Sequence, residues 1–544
     1  MAESPDSTRR ADEETPLLND ATGQNGSAEQ TIIVDEPSNS RLVITLASIY
    51  VGVFLGALDS TIIATLATPI STSFNSQSLL SWLASGYLIA NAACQPLAGR
   101  LTDIFSRRTG LVFSNVMFAA GNLICGLAKS EETMIAGRVV AGMGGGGLMA
   151  ISTFVASDLV PLRKRGVVQG IGNICFGTGA GLGGLFGGWV NDQWGWRLAF
   201  LVQVPLVILS GILVYFVVRV PAKKSDKSAL SRVDFLGSLT IVTTLVLLLL
   251  GLNSGGNNVP WTHPLVLVSL PLSAVSLAAF IYIELYVASE PVIPVRLLLD
   301  RTVASACLTN WFCTMVLFMV VFYIPLFYQA KGLSTTAAGA RLIPNSIGGS
   351  IGSLGAGIVM NKTGKYKTMG IGLVCTFTLG IGLLSTLTFT TPEGPAFVYM
   401  FLMGFGYGGM LTVTLLAVIS AVSHDHQAVI TSATYAFRST GSTIGVTIAS
   451  AVYQNTLKSQ LWARFSEYPN AAEEISRIRD SFDELYHLPE GWLTGVLESY
   501  EWALRGVFLT ALSFAVLACV TSAFMRQHTL HSSLDRRGSH SSGS

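Results

Sequence analysis

The sequence predicts an all-α membrane protein with about 14 transmembrane helices, and three observations support this prediction. Half of the 544 residues are hydrophobic, only 12% are charged, and the mean hydropathy is +0.54. A soluble domain carries about 25% charged residues, so this chain has too few to cover a water-exposed surface. Apolar runs recur along the chain, each close to the ~20 residues that span a bilayer. The short loops between them alternate between basic and nearly uncharged, as in multi-span membrane proteins.

The predicted spans lie between two polar ends. Residues 1–41 are rich in Ser, Asp, Glu, Asn and Gln and are predicted to be a disordered tail, and residues 527–544 form a second tail. No cleavable signal peptide opens the chain, so the first span is expected to direct insertion. The spans are expected near 42–70, 79–98, 110–128, 133–157, 167–190, 197–218, 233–252, 265–287, 303–329, 336–360, 367–388, 395–422, 430–452 and 503–525.

Basic residues predict the orientation of these spans. The short loops after odd-numbered spans carry only Lys129, Arg197 and Lys331. The opposite set of loops carries Arg100, Arg107, Arg108, Arg163, Lys164, Arg165, Arg219, Lys223, Lys224, Lys227, Arg232, Arg296, Arg301, Lys362, Lys365 and Lys367. By the positive-inside rule, the basic loops and both termini are expected in the cytosol.

An internal echo predicts two related halves. The segment GRLTDIFSR over 99–107 follows the second span, and GIVMNKTGK over 357–365 follows the tenth. Both contain a glycine, an acid or amide four residues later, and a base eight residues later. Six-helix halves over 42–218 and 291–526, separated by a charged linker and two inserted helices over 219–290, would explain this pattern. Such repeated halves are typical of secondary transporters.

One long loop, over 458–501, is expected on the far side of the membrane. Ile475, Ile478, Phe482 and Leu485 recur in it at helical spacing, with charged residues between them. The pattern predicts a short amphipathic helix that lies on the membrane surface or caps the bundle. A substrate gate is the alternative interpretation.

Charged residues inside the predicted spans are the sharpest functional signal, because each costs at least ~2.5 kcal/mol at a helix centre. Asp59 is the only carboxylate deep in any predicted span, and Arg138 lies near the start of span four. Both belong to the far half of antiparallel spans, so they are able to meet. They form either a structural ion pair or a proton or cation site centred on Asp59. For Arg341 and Arg438, a packing role or an interfacial salt bridge is favoured.

Glycines and loop charges indicate further functional positions. The 55 glycines are dense in spans four and five, where they allow either static close packing or sliding of helix against helix. A set at the cytosolic helix ends is interpreted as a conformational latch, with ordinary topogenic charge as the alternative: Gly99, Asp103, Arg107, Arg108 and Asp158.

Other kinds of function are not indicated. The seven cysteines all fall in apolar spans without CxxC or CxxH spacing, so neither a metal site nor a disulfide framework is predicted. A net charge of +1 without a basic stripe argues against nucleic-acid binding. No nucleophile–base constellation stands out, so the chain is not expected to be an enzyme or to need a cofactor.

Taken together, these residues resemble the major facilitator transporters of the fourteen-span drug:proton antiporter group, over about residues 41–526. The motifs that carry the resemblance are LDSTI over 58–62, Gly99-x3-Asp103-x3-Arg107-Arg108, Arg138-x3-Gly142, the span-five glycines Gly179, Gly183, Gly184, Gly187 and Gly188, and WGWRLAF over 194–200. The chain departs from the family at Gly184, where the antiporter motif has proline, and at Asn361, where an acid would be expected.

Within this group the chain is most similar to fungal vacuolar basic amino acid transporters, through the stretches 150–158 and 165–177. The tail segment EETPLL, with Glu13, Leu17 and Leu18, resembles an acidic dileucine signal that adaptors read when sorting proteins to vacuoles. A chance match is the alternative, because short patterns of this kind are common in disordered tails.

The resemblance implies a function. It implies a major facilitator fold and alternating access, with lysine, arginine or histidine moved from the cytosol into the vacuole in exchange for protons. Asp59 and Arg138 would then form the coupling site, at which a cationic substrate and a proton compete for one carboxylate. The expected partners are the cationic substrate, protons, the bilayer and a sorting adaptor. Plasma-membrane efflux of drugs or toxins is the alternative, and a non-transporting nutrient receptor is a remote one.

Overall fold

The computed structural model describes residues 39–528, apart from 75–77, 161, 220–233, 256–258, 289–291, 294, 334, 423–425, 469, 481–487 and 489–490. Its helices are α1 (Asn39–Phe74), α2 (Ser78–Phe105), α3 (Arg107–Leu127), α4 (Glu131–Leu159), α5 (Leu162–Trp194), α6 (Trp196–Leu201), α7 (Gln203–Val217), α8 (Phe235–Ser254), α9 (Pro264–Tyr286), α10 (Val295–Leu298), α11 (Arg301–Ala330), α12 (Thr335–Ala340), α13 (Ile343–Thr363), α14 (Lys367–Leu384), α15 (Glu393–Ala421), α16 (Gln427–Phe465), α17 (Ala471–Asp480) and α18 (Leu493–Ala523). Named strands are absent from this described part of the chain, so the all-α prediction is confirmed.

The predicted number of spans is also confirmed. In the described part of the chain, 11 helical segments are long and apolar enough to cross a membrane, with α6 and α7 forming one segment and α12 and α13 another. Helices α2, α5 and α16, of 28, 33 and 39 residues, are also long enough to cross a membrane, but contain more glycine and polar residues. Counting these three gives 14 spans. Their lower hydropathy has a structural reason, because all three lie between the halves of the bundle.

The spans form two six-helix halves and an insert. In the first half, α1 packs on α5, and α4 packs on α2 and α3; in the second, α13 packs on α15, and α11 packs on α16 and α18. Helix α5 lies along α13, and α2 lies along α16, so these pairs join the halves. The inserted helices α8 and α9 pack on each other. Leu249 of α8 contacts Ile89 and Ala92 of α2 and Ile444 of α16, so the insert covers one seam between the halves.

Small residues let α5 approach neighbours on two sides. Gly166 of α5 meets Gly357 of α13 backbone to backbone, and Gly170 meets Leu354, so the seam between the halves is closely packed. On the other side, Gly183 faces Leu58 and Thr61 of α1. The described geometry therefore gives the glycines of span five a packing role toward both halves.

The loop expected over 458–501 is shorter than predicted, because the helices on both sides continue into it. Helix α16 extends to Phe465 and α18 begins at Leu493, and Phe465 stacks on Trp492 with ring centroids 4.1 Å apart. The amphipathic helix predicted in this loop is α17. Its Ile475 and Ile478 are buried against the bundle, as expected for a cap, whereas Phe482 and Leu485 lie outside the described residues.

Candidate functional site

A cavity lies between the two halves near the middle of the bundle. Its wall is built by α1, α2, α4 and α5 from the first half and by α11, α13, α15 and α16 from the second. It encloses about 1280 Å³ of empty space, including its opening. We call it the central cavity.

The wall of the central cavity is mainly aromatic and apolar with a polar strip. Its aromatic residues are Tyr87, Phe176, Phe318, Phe322, Tyr407 and Tyr435. Its amide and charged residues are Asn91, Gln95, Asn173, Asn345 and Arg438. Among the described residues that line it, Arg438 is the one charged group, and no carboxylate contributes to the wall.

Asp59 and Arg138 meet, as their positions in the sequence allow. The Nη1 atom of Arg138 donates to Oδ2 of Asp59 at 2.8 Å, and both side chains are at most 1% exposed. Arg138 also donates from Nε to the Leu83 carbonyl oxygen at 3.2 Å, and its guanidinium lies 4.5 Å from the Tyr87 ring centroid. This pair is sealed inside the first half.

The sealed pair lies behind the wall of the central cavity rather than in it. Ser60, Thr61 and Tyr87 line the cavity, whereas Asp59 and Arg138 do not. A solute in the cavity therefore does not touch the carboxylate in this conformation. Of the two alternatives for Asp59, direct competition between a cationic substrate and a proton would require a route from the cavity to the carboxylate, which this conformation does not provide.

One oxygen of the sealed pair has room for a proton. Oδ1 of Asp59 and Oε1 of Gln203 are buried and have no hydrogen-bond partner of standard geometry among the described residues, and the Gln203 side chain lies close enough to interact with the carboxylate. The Gln203 amide nitrogen donates instead to the Ala199 carbonyl oxygen at 3.0 Å. A proton on Asp59 would occupy an acceptor oxygen that otherwise has no hydrogen-bond partner. A buried acceptor without a partner costs free energy, because it has lost its hydrogen bonds to water.

The two arginines left open by the sequence differ from each other. Arg341 forms an ion pair with Glu393, in agreement with the interfacial salt bridge that was favoured. Arg438 is partly buried in the wall of the central cavity, 4.9 Å from the ring centroid of Tyr435. No described carboxylate lies within salt-bridge distance of it. Arg438 is thus the functional candidate that the sequence did not favour.

The predicted latch residues form a partly buried network at the end of the bundle where α1 begins, which we call the amino-terminal face. Arg107 contacts Asp103 at 2.5 Å and Asp158 at 2.9 Å, and it donates to the Gly99 carbonyl oxygen at 3.3 Å. Arg108 lies outside this network, with its guanidinium 4.1 Å from the Tyr215 ring centroid. Arg108 therefore stacks on α7 and does not join the ion network of the other latch residues.

The corresponding corner of the second half is held differently. Tyr366 follows the echo segment, and its hydroxyl donates to the Arg526 carbonyl oxygen at 2.7 Å. Its backbone N–H donates to Oε1 of Gln527 at 3.0 Å. Backbone and amide contacts to the end of α18 thus stand where the first half has an ion network.

Polar contacts between the halves lie at the middle of the bundle and toward the amino-terminal face. Hydrogen bonds join Thr153 to Tyr435 at 2.6 Å, Arg165 to Gln427 at 2.7 Å, and Asn173 to Ser353 at 2.8 Å. Ser439 of α16 donates to Oε1 of Gln95 on α2 at 2.6 Å, and Gln95 donates in turn to Asn91. These bonds close the central cavity on that side.

The remaining predicted positions differ in their surroundings. Gly179, Gly183 and Gly187 face α1, whereas Gly184 and Gly188 have space around them. The sorting residues Glu13, Leu17 and Leu18 lie outside the described residues. In the described part of the chain, no group of three or more His, Cys, Asp or Glu side chains is placed to hold a metal ion.

A multi-pass bundle of two repeated halves around a mid-membrane cavity is the architecture of a secondary transporter. The family model for the Major Facilitator Superfamily matches residues 49–446. The chain belongs to the Major Facilitator Superfamily, and is therefore a membrane transporter rather than an enzyme.

Relatives of this chain carry two kinds of name. It is 39% identical to the multidrug resistance protein fnx1 of Schizosaccharomyces pombe, over 90% of this chain and 94% of that protein. It is 34% identical to the vacuolar membrane amino acid uptake transporter fnx2 of the same organism, over 89% of this chain and 84% of that protein. It is 30% identical to the vacuolar basic amino acid transporter 1 of Saccharomyces cerevisiae, over 89% and 92%.

Solved structures agree on the fold. A bacterial homolog of the human lysosomal transporter Spinster, in an inward-facing and unoccupied conformation, superposes with a TM-score of 0.58. It shares 17% sequence identity, and the match covers 90% of this chain and 98% of that chain. The predicted major facilitator fold is confirmed.

Proposed function

We propose that this protein moves basic amino acids from the cytosol into the vacuole by alternating access, in exchange for protons. The observation that carries the proposal is the sealed Asp59–Arg138 pair, which α1 places directly behind the wall of the central cavity. Two relatives named as vacuolar amino acid transporters support the substrate class. The basic loops and the dileucine pattern in the tail support cytosolic termini and a vacuolar membrane.

In this proposal, α1 and Tyr87 couple substrate binding in the cavity to protonation of Asp59. Ser60 and Thr61 face the central cavity, while Asp59, the preceding residue, faces Arg138. Protonation of Asp59 removes half of the ion pair and weakens its hold on α4, because a neutral acid attracts a guanidinium less strongly. Tyr87 touches both the cavity and Arg138, so substrate that packs on its ring shifts the same contact. Substrate and proton thus bind at adjacent sites that share a helix.

The test uses vesicles that contain the purified protein and two assays. Proton-driven uptake of labelled lysine or histidine requires both sites, whereas exchange of internal for external amino acid without a proton gradient requires only the cavity. Asp59→Asn is expected to abolish proton-driven uptake and to retain exchange. Asp192→Asn, which changes an exposed acid at the end of α5, is the matched control and should keep both activities.

A second variant controls for loss of stability. Asp59→Asn leaves Arg138 buried without its partner, which alone destabilises a protein. Asp59→Asn/Arg138→Gln removes both charges and should show the same loss of proton-driven uptake with exchange retained. Uptake of lysine against a gradient at the normal rate in either variant contradicts the coupling mechanism.

Efflux of hydrophobic drugs is the second candidate, and the cavity wall favours it. The described wall is rich in aromatic residues and contains no carboxylate, which suits an apolar solute. A relative named as a multidrug resistance protein supports this candidate. A lipophilic cationic dye offered to the same vesicles separates the two, because transport of the dye without transport of lysine or histidine would favour efflux.

A further inference from the structure

One arginine of the central cavity has no acidic partner among the described residues. Arg438 lies within α16, and the described residues place no carboxylate within salt-bridge distance of it. Its guanidinium contacts the Tyr435 ring, 4.9 Å from the centroid. A guanidinium stays charged under all conditions that a protein meets. The charge of Arg438 is therefore permanent, and no acid among the described residues neutralises it.

The position of Arg438 relative to the closed side of the cavity is specific. The side chain lines the central cavity and also a smaller pocket toward the amino-terminal face, which it shares with Tyr435 and Asn173. Tyr435, one turn earlier on α16, bonds across the halves to Thr153. Arg438 thus stands at the amino-terminal end of the cavity, beside a contact that must break if the cavity is to open on that side.

The groups around Arg438 make this end of the cavity polar. Ser439, the next residue, forms a chain of hydrogen bonds with Gln95 and Asn91 of α2. Asn173 of α5 lines the cavity opposite them and bonds to Ser353. Farther from this face the wall includes Phe318, Val321 and Phe322 of α11, together with Asn345 and Ser346 of α13. Arg438 is the one described charge in the wall, so an anionic end of a solute is attracted to the amino-terminal end of the cavity.

The charge and planar shape of the Arg438 guanidinium determine which chemical group binds here. An intramembrane arginine that faces a cavity is costly unless an anion or water compensates it. A carboxylate matches the planar guanidinium with two parallel hydrogen bonds, which are stronger than neutral ones. A purely cationic solute is repelled by the same group. The structural alternative, an arginine retained for an internal salt bridge, lacks a partner among the described residues.

We propose that Arg438 binds the carboxylate of the transported solute, so that the protein requires an amino acid and rejects the corresponding amine. This inference rests on the proposed function and adds the group by which the substrate is recognised. The α-carboxylate pairs with Arg438 at the amino-terminal end of the cavity, and the amino acid side chain extends toward the aromatic part of the wall. Cationic groups then contact ring faces such as those of Tyr87 and Tyr407.

The first experiment needs no substitution. Lysine is compared with cadaverine, its decarboxylated form, and with lysine methyl ester, as competitors of labelled lysine exchange by the wild-type protein in vesicles. Lysine should compete roughly 10- to 100-fold better than either analogue, the range expected from loss of a charged hydrogen bond. Equal competition by cadaverine would overturn the proposal.

The second experiment changes the arginine. Arg438→Gln should raise the KM for lysine exchange by a similar factor and leave the weak competition by cadaverine unchanged or improved. Arg438→Lys keeps the charge but loses the bidentate geometry, and an intermediate KM is expected. Arg505→Gln, which changes an exposed arginine on α18, is the control and should behave as wild type.

The outcomes separate this inference from the function on which it rests. If the wild-type protein exchanges no basic amino acid, the proposed function fails and this inference fails with it. If the wild-type protein exchanges lysine but Arg438→Gln binds it with unchanged KM, only the assignment of Arg438 is overturned. If Arg438→Gln does not reach the membrane, the competition experiment with the wild-type protein still decides whether cadaverine and lysine methyl ester bind as well as lysine.

Discussion

Arg138 and Arg438 lie inside the membrane in different halves of the molecule, and the protein accommodates them in opposite ways. Arg138 is 1% exposed, paired with Asp59 and stacked on Tyr87. Arg438 is partly exposed to the central cavity, and its described contacts include no acid. The first arrangement is closed and electrically neutral, whereas the second leaves a charge available. In the functions proposed above, the first half couples protons and the second half recognises the substrate's anionic group.

Stability should separate the two arginines most strongly. Removing one member of a buried ion pair costs about 3–5 kcal/mol, because the other charge stays buried without compensation. Asp59→Asn should cost the most, since Arg138 cannot lose its charge. Arg138→Gln should cost less, because Asp59 is able to bind a proton. Arg438→Gln should change the free energy of unfolding by less than about 1 kcal/mol, as is usual away from buried networks.

Thermal unfolding of the purified proteins in one detergent measures these differences. The double variant Asp59→Asn/Arg138→Gln should recover most of the stability lost by Asp59→Asn, although it remains unable to couple protons. A loss of stability in Arg438→Gln as large as that in Asp59→Asn would show that Arg438 is also part of the packing, and would remove the contrast.

Most of the fold was predictable, because length, hydropathy and loop charge act locally along the chain. The meeting of Asp59 with Arg138 was predictable as an option, because antiparallel spans place both in the same half of the membrane. The exposure of Arg438 was not, because it depends on which side of α16 faces the other half. Arg108 likewise stacks on Tyr215 instead of joining the acids, since its neighbour Arg107 already takes the buried position.

The far end of the bundle shows another limit of the sequence. Helices α16 and α18 continue beyond their apolar spans because Phe465 and Trp492 stack and α17 covers them. Hydropathy does not report this kind of support, since the flanking residues are polar enough to be read as a loop. Contacts among three consecutive helices, α16, α17 and α18, support the extra turns.

Close packing of α1 on α5 should contribute the next largest effect, because it holds Asp59 in its sealed position. A Cβ atom on Gly183 would collide with Oγ1 of Thr61 and the carbonyl oxygen of Leu58, which flank Asp59. Gly183→Ala should therefore cost about 1–3 kcal/mol and reduce proton-driven uptake. At Gly184 the nearest atom, Cγ2 of Thr65, is 3.5 Å from an added Cβ, so Gly184→Ala should be neutral or slightly stabilising.

Unfolding temperature and uptake, measured side by side for the two alanine variants, test this expectation. Equal effects of Gly183→Ala and Gly184→Ala would mean that backbone flexibility, rather than close contact with α1, is what the glycines supply. That result would favour sliding of the helices over static packing.

Accessibility to solvent should distinguish the two regions with the least disturbance to the protein. Cys125 is fully buried, and an added Cβ on Gly137, the residue before Arg138, would lie 2.7 Å from its sulfur, so this native thiol reports on the sealed pair. Ser439 lines the central cavity beside Arg438. In a background without the other cysteines, Ser439→Cys should react with a small water-soluble thiol reagent, whereas Cys125 should react only after denaturation. Saturating lysine should slow the reaction at Ser439→Cys, because the bound solute covers the polar end of the cavity.

Ready modification of Cys125 in the folded protein would show that water reaches the Asp59–Arg138 pair. The two arginines would then have to be treated as parts of one continuous site.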